Sequence, residues 1–89
     1  MNTYFVTYAL DDQSSYPALS KRLKRFPNWV KLFARTWIIK SPLSSKRVRD
    51  KLIDAIDGNG QIVVIDITDS AWATYRINED ILNWMKENI

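Results

Sequence analysis

Residues 29–40, WVKLFARTWIIK, hold two runs of aromatic and branched aliphatic residues separated only by Ala34-Arg35. Val, Ile, Thr, Phe and Trp suit the pleated, half-buried surface of a strand. Two such runs with a two-residue separation read as an antiparallel hairpin, Trp29–Phe33 paired with Thr36–Lys40. Ala34-Arg35 lacks the Asn-Gly signature that favours tight hairpins, so the two runs carry the reading, not the turn.

Helical patterns flank this hairpin on both sides. Upstream, Leu19, Leu23 and Phe26 recur at helical spacing, which predicts a helix from about Ser15 to Phe26. Ser15 is the candidate N-cap, Pro17 falls in the first turn, and Pro27 stops the helix. Downstream, Ser41-Pro42-Leu43 ends the hairpin. Ser44 or Ser45 then caps a second helix that runs to about Ile56, with Val48, Leu52, Ile53 and Ile56 as its apolar face. Asp57-Gly58-Asn59-Gly60 closes it with residues that tolerate left-handed backbone, and no Lys-Ser/Thr follows to make it a phosphate-binding loop.

One more strand lies outside each helix. Asn2–Ala9 alternates Tyr4, Val6 and Tyr8 with Thr3, Phe5 and Thr7, and apolar bulk on both faces predicts a central strand. Gln61–Thr68 is almost continuously β-branched, as expected of a strand covered on both faces. Residues 71–77 read as a short strand or an ordered loop. Asn78 caps a last helix with Glu79 and Asp80 in its first turn and Ile81, Leu82, Met85 and Ile89 as apolar positions. The order strand–helix–strand–strand–helix–strand–helix predicts an α+β fold: one ferredoxin-like βαββαβ sandwich over residues 1–89 with a C-terminal helix. In that topology one sheet face lies open unless the tail or a second chain covers it. Four tryptophans in 89 residues make a tryptophan-rich sheet face and a homodimer the expectation.

Composition excludes much chemistry. The apolar share of 46% and charged share of 26% exclude a disordered or low-complexity chain. Histidine and cysteine are absent, so there is no Ser-His-Asp triad, no thiol nucleophile, no disulfide and no zinc site of the Cys/His type. Any metal would be held by oxygen ligands, which favours Mg²⁺, Mn²⁺ or Ca²⁺. The first residues form neither a signal peptide nor a membrane span, and the expected compartment is the cytoplasm.

Charge is concentrated in the middle of the chain. Residues 21–51 hold eleven cations against the single carboxylate of Asp50, a net of +10, while the whole chain carries +3. Arg22, Arg25, Arg47, Arg49 and Lys51 are the candidate phosphate contacts, all in one helical layer. A solvated helix face would have the same composition. No aromatic residues interleave with these cations in an RNA-recognition signature, so sequence-specific readout is not expected.

The stretches VTYALDD, PNWVKLFARTWIIKSPLSSKRVRDKL and QIVVIDIT together resemble the SinR-like protein family. That family is similar in fold to the CRISPR-associated spacer-acquisition endonuclease subunit and, more distantly, to the virulence-associated protein D ribonuclease toxins. The resemblance implies a ferredoxin-like homodimer with a role on RNA or DNA. The nuclease relatives end their first strand with an aromatic residue, an aspartate and an aliphatic residue, and the aspartates of two subunits are proposed to hold a divalent metal. Here the corresponding residues are Tyr8, Ala9 and Leu10, so the catalytic carboxylate is replaced by a methyl group.

Asp11 and Asp12 are the nearest carboxylates and the only candidates for a catalytic or Mg²⁺/Mn²⁺ role; Asp11 lies roughly 7 Å beyond Ala9 on an extended strand. Their other reading is a strand-end turn. Asp66, inside an apolar run, needs a partner such as Tyr4, Thr7, Tyr8 or Thr68. Without one it would take a raised pKa or a ligand role. The expectation is a non-catalytic binding or assembly module. The alternatives are a metal-dependent endoribonuclease and a protein-interaction module with no nucleic-acid role.

Overall fold

The computed structural model covers residues 1–89. Its elements are β1 (Asn2–Leu10), α1 (Ser15–Leu23), β2 (Asn28–Phe33), β3 (Thr36–Ser41), α2 (Ser45–Ile56), β4 (Gly60–Asp66) and α3 (Glu79–Asn88). All four strands pair antiparallel in one sheet, in the order β2-β3-β1-β4. This is a small α+β fold of four strands and three helices. No helix is long and apolar enough to cross a membrane.

Strand alternation divides the sheet into two faces. Tyr4, Val6 and Tyr8 of β1 and Trp37 and Ile39 of β3 turn toward α1 and α2. There they meet Leu19, Leu23, Phe26, Val48, Leu52 and Ile56 in one buried cluster. Its two largest polar groups are satisfied. The Trp37 indole Nε1–H donates to Tyr8 Oη at 2.9 Å, and Tyr4 Oη donates to the Leu43 carbonyl at 2.6 Å. Both bonds let a bulky aromatic be buried without stranding its polar atom.

On the opposite face, α3 covers the β2 side. Met85 is buried there. The Trp84 indole donates to Asn28 Oδ1 at 2.8 Å, and Asn28 Nδ2 donates to Asn88 Oδ1 at 2.8 Å. Thr3 Oγ1 and Lys40 Nζ both donate to the Asn88 carbonyl at 3.1 Å. The last turn of α3 is therefore hydrogen-bonded to β1, β2 and β3. Residues 71–77 form no strand; Ala71 and Trp72 instead line an apolar pocket of about 220 Å³ with Phe5, Leu32, Ile38 and Met85.

Several expectations are corrected. β4 is not covered on both faces: Val63 and Ile65 share the face of Phe5 and Thr7, beyond the side that α3 occupies, and each is 49% exposed. The tryptophans do not gather on one face. Trp29 packs on Trp37 toward the helices, with ring centroids 5.4 Å apart, while Trp72 and Trp84 lie on the α3 side. Ile53 of α2 is exposed rather than part of the apolar face.

The ends of α1 also shift. It stops at Leu23: Pro27 has no N–H to give the Leu23 carbonyl, which accepts instead from Phe26 in a tighter turn, as the Arg22 carbonyl does from Arg25. Its N-cap is Ser14, not Ser15, and makes no side-chain capping bond. The Ser44 and Asn78 caps do form, accepting from the backbone N–H of Arg47 and Asp80. Finally, Gly60 sits at φ 140° where β4 starts beside the end of β1. A Cβ there would lie 2.8 Å from the Ala9 carbonyl oxygen and the Leu10 Cα.

Candidate nucleic-acid interface

The phase of α1 follows from its buried residues. Leu19 and Leu23 face the sheet, which places Arg22 on the flank that meets α2. Arg22 Nη1 donates to the Lys51 carbonyl at 2.9 Å and reaches Asp54 Oδ2 at 3.4 Å. This guanidinium ties the two helices together and is partly covered, whereas Asp54 is largely exposed. Arg25 leaves the turn after α1, and Lys51 projects from α2 across from it.

Arg22, Arg25 and Lys51 rim a pocket of about 240 Å³ whose walls are Phe26, Pro27 and Leu43, with Ser41 at its base. Two further hollows adjoin it. One of about 270 Å³ shares Arg22 and Arg25 and adds Lys21 together with the carboxylate of Asp54. The other, of about 470 Å³, shares Leu43 and Lys51 and adds Arg47 and Asp50, so the three hollows together hold five cations against two carboxylates. The shared linings make one basic groove across the outer surface of the α1–α2 layer. The chain holds only two ion pairs, Arg22–Asp54 and Arg49–Asp50. Arg25, Arg47 and Lys51 thus present their full charge to solvent, the arrangement that attracts a polyanion.

The structure brings together four of the five candidate cations and separates the fifth. Arg47 and Lys51 are one helical turn apart, whereas Arg49 lies roughly 200° around the helix from Arg47. Arg49 donates twice to Asp50 Oδ1, at 3.1 and 2.8 Å, and borders a different hollow beside Lys46 and Val64. Lys21 and Ser41 belong to the groove but are missing from the sequence-based set. Helix phase would have indicated Lys21, while Ser41 arrives only through the sheet.

The carboxylate candidates lie apart from this groove. Asp11 is exposed, and its backbone N–H approaches the Asn59 carbonyl at 3.5 Å. Asp12 Oδ1 accepts the Ser14 backbone N–H at 3.0 Å, and the hydrogen bonds from Ser14 hold its carboxyl below the usual range. Ala9 is exposed and pairs with Gln61. No group of three or more carboxylates converges to hold a metal ion within the chain.

Asp66 is neither buried nor raised in pKa. It ends β4, exposed, and its Oδ1 accepts from the Thr68 hydroxyl at 2.6 Å and the Thr68 N–H at 3.0 Å. These bonds hold the carboxyl below its ordinary value. Thr68 Oγ1 in turn accepts the Thr3 N–H at 2.9 Å, so this carboxylate locks the end of β4 to the start of β1. Compared with known proteins, the chain matches no family model, no curated sequence and no solved structure.

Proposed function

We propose that this chain is a homodimeric, ferredoxin-like binding or assembly module that holds nucleic acid without sequence preference and without cleaving it. The observation that carries the reading is the continuous groove bearing Arg22, Arg25, Arg47 and Lys51, of which only Arg22 has a carboxylate partner. The strand order, with both central helices on one face, supports the ferredoxin-like description. The open edge of β4 and the exposed Val63 and Ile65 beside it support self-association, since antiparallel pairing of two β4 strands is self-complementary about a two-fold axis. Ala9, in place of the carboxylate that the SinR-like resemblance leads one to expect, supports the absence of catalysis.

The test is fluorescence anisotropy with labelled single- and double-stranded RNA and DNA across a salt series, with and without Mn²⁺. About four phosphate contacts on a single strand give a log–log salt slope near −3. Arg25→Ala and Lys51→Ala each reduce that slope by about one contact. Salt-independent binding, or binding indifferent to both variants, overturns the assignment of the groove. Fragmentation of substrate with Mn²⁺ overturns the non-catalytic reading and brings Asp11→Ala and Asp12→Ala next. Silence on every substrate moves the function to a protein partner. Sedimentation of the chain beside Val63→Lys reads the dimer separately: the parent sediments as a dimer and the variant as a monomer.

A further inference from the structure

The middle hollow of the groove differs from its neighbours in having a buried hydroxyl at its base. Ser41 is only 1% exposed, and its Oγ accepts the Leu43 N–H at 3.1 Å. No acceptor in the protein takes the Ser41 hydroxyl proton. Around it stand three cations, Arg22, Arg25 and Lys51, and the walls of Phe26, Pro27 and Leu43 are apolar. The hollow thus offers one neutral donor at depth and two unpaired cations, Arg25 and Lys51, at the rim, beside Arg22, whose Nη1 is already held by the Lys51 carbonyl and Asp54. At about 240 Å³ it falls below the usual size of pockets that enclose a whole small-molecule ligand.

We propose that this pocket receives the terminal phosphate monoester of a nucleic-acid strand. The inference rests on the reading of the α1–α2 groove as a nucleic-acid surface and adds a preference for strand ends. A phosphodiester carries chain on both sides and a single negative charge, so it meets the rim cations but enters the pocket poorly. A terminal monoester has three free oxygens and a charge of about −1.5 to −2 at neutral pH. It can turn one oxygen to the Ser41 hydroxyl and the others to the guanidinium and ammonium groups. Charge-assisted hydrogen bonds of this kind are the strong ones.

The experiment compares two oligonucleotides of one sequence, one bearing a terminal phosphate and one a terminal hydroxyl, with the phosphate placed at the 5′ end and then at the 3′ end. The phosphorylated strand is expected to bind about tenfold tighter at one end or both, the effect of one further hydrogen bond to a charged group. Arg25→Gln, at an exposed position, and Ser41→Ala, at the pocket base, each narrow that ratio. Equal affinity of the phosphate and hydroxyl forms overturns the pocket while leaving the groove intact. If neither strand binds, the groove reading fails, and an NMR titration with inorganic phosphate decides the pocket alone. Saturable shifts of the Ser41 and Leu43 amides that Arg25→Gln removes support it, and unmoved amides overturn it.

Discussion

Replacing Tyr8 by Phe removes one oxygen atom from the core and leaves the Trp37 Nε1–H with no acceptor. Trp37 is fully buried and Tyr8 nearly so, and water does not replace the lost partner without opening the cluster. Leaving a buried donor unpaired costs about 1–3 kcal/mol. The total stability expected for 89 residues is about 4–13 kcal/mol, so the loss is a sizeable share. A cost of about 2 kcal/mol lowers Tm by about 8–16 °C at this chain length.

Trp37→Phe removes the donor as well as ring volume and strands the Tyr8 hydroxyl, and the cavity it leaves makes it the more damaging variant. With both changes the stranded donor no longer exists. The double variant is therefore less destabilised than the sum of the singles, with a coupling of about 1–2 kcal/mol. Urea melts of the four proteins, followed by far-ultraviolet circular dichroism, measure all three quantities. Additive effects, or Tyr8→Phe within about 0.3 kcal/mol of the parent, would refute the reasoning.

Gly60→Ala forces a Cβ against the backbone of Ala9 and Leu10 in a conformation that favours glycine, and costs about 1–3 kcal/mol, readable in the same melts. Met85→Ala empties the contact that seats α3 on the sheet and costs about 2–5 kcal/mol; hydrogen exchange should show amides of α3 deprotected ahead of those of β1. Asp66 has a folded pKa below its unfolded value of about 3.9. Its contribution to stability is complete above that value and disappears as pH falls through the lowered folded pKa. Asp66→Asn should flatten the acid limb of a pH–stability profile, and an unchanged limb would show that the Thr68 bonds do not select the charged form.

The hairpin, both central helices and the two caps at Ser44 and Asn78 were legible because each rests on neighbours in the chain. Periodicity, proline placement and capping chemistry act over a few residues. The contacts of Asn88 with Asn28, Thr3 and Lys40 were not legible, since they join the two ends of the chain and nothing local distinguishes those asparagines from solvated ones. The apolar run of β4 stated that the strand is hydrophobic but not where α3 would come to rest, so the exposure of Val63 and Ile65 needed the structure. Asp66 was legible in part: Thr68 was among its expected partners and does hold it, but its place in the run suggested burial, whereas the strand ends on it. In the groove, the charge excess was plain from composition. Which cations share a surface depends on helix phase, and that alone separates Arg49 from Arg47 and Lys51.

The central place of β1 in the sheet also bears on how the chain reaches its fold. β1 is made before the six other elements, yet both its edges are filled by later segments: Thr7 pairs with Thr36 and Tyr4 with Asp66. Through most of synthesis this strand of tyrosine, phenylalanine, valine and threonine has no lasting partner. The hairpin of β2 and β3 can close early from local contacts, but the sheet is complete only after residue 66 is free of the exit tunnel. Long-range closure of this kind slows folding and leaves a sticky segment exposed meanwhile. Slowing translation after β4 would hold that strand in the tunnel and lengthen the exposure, and truncation before β4 would leave β1 open along one whole edge.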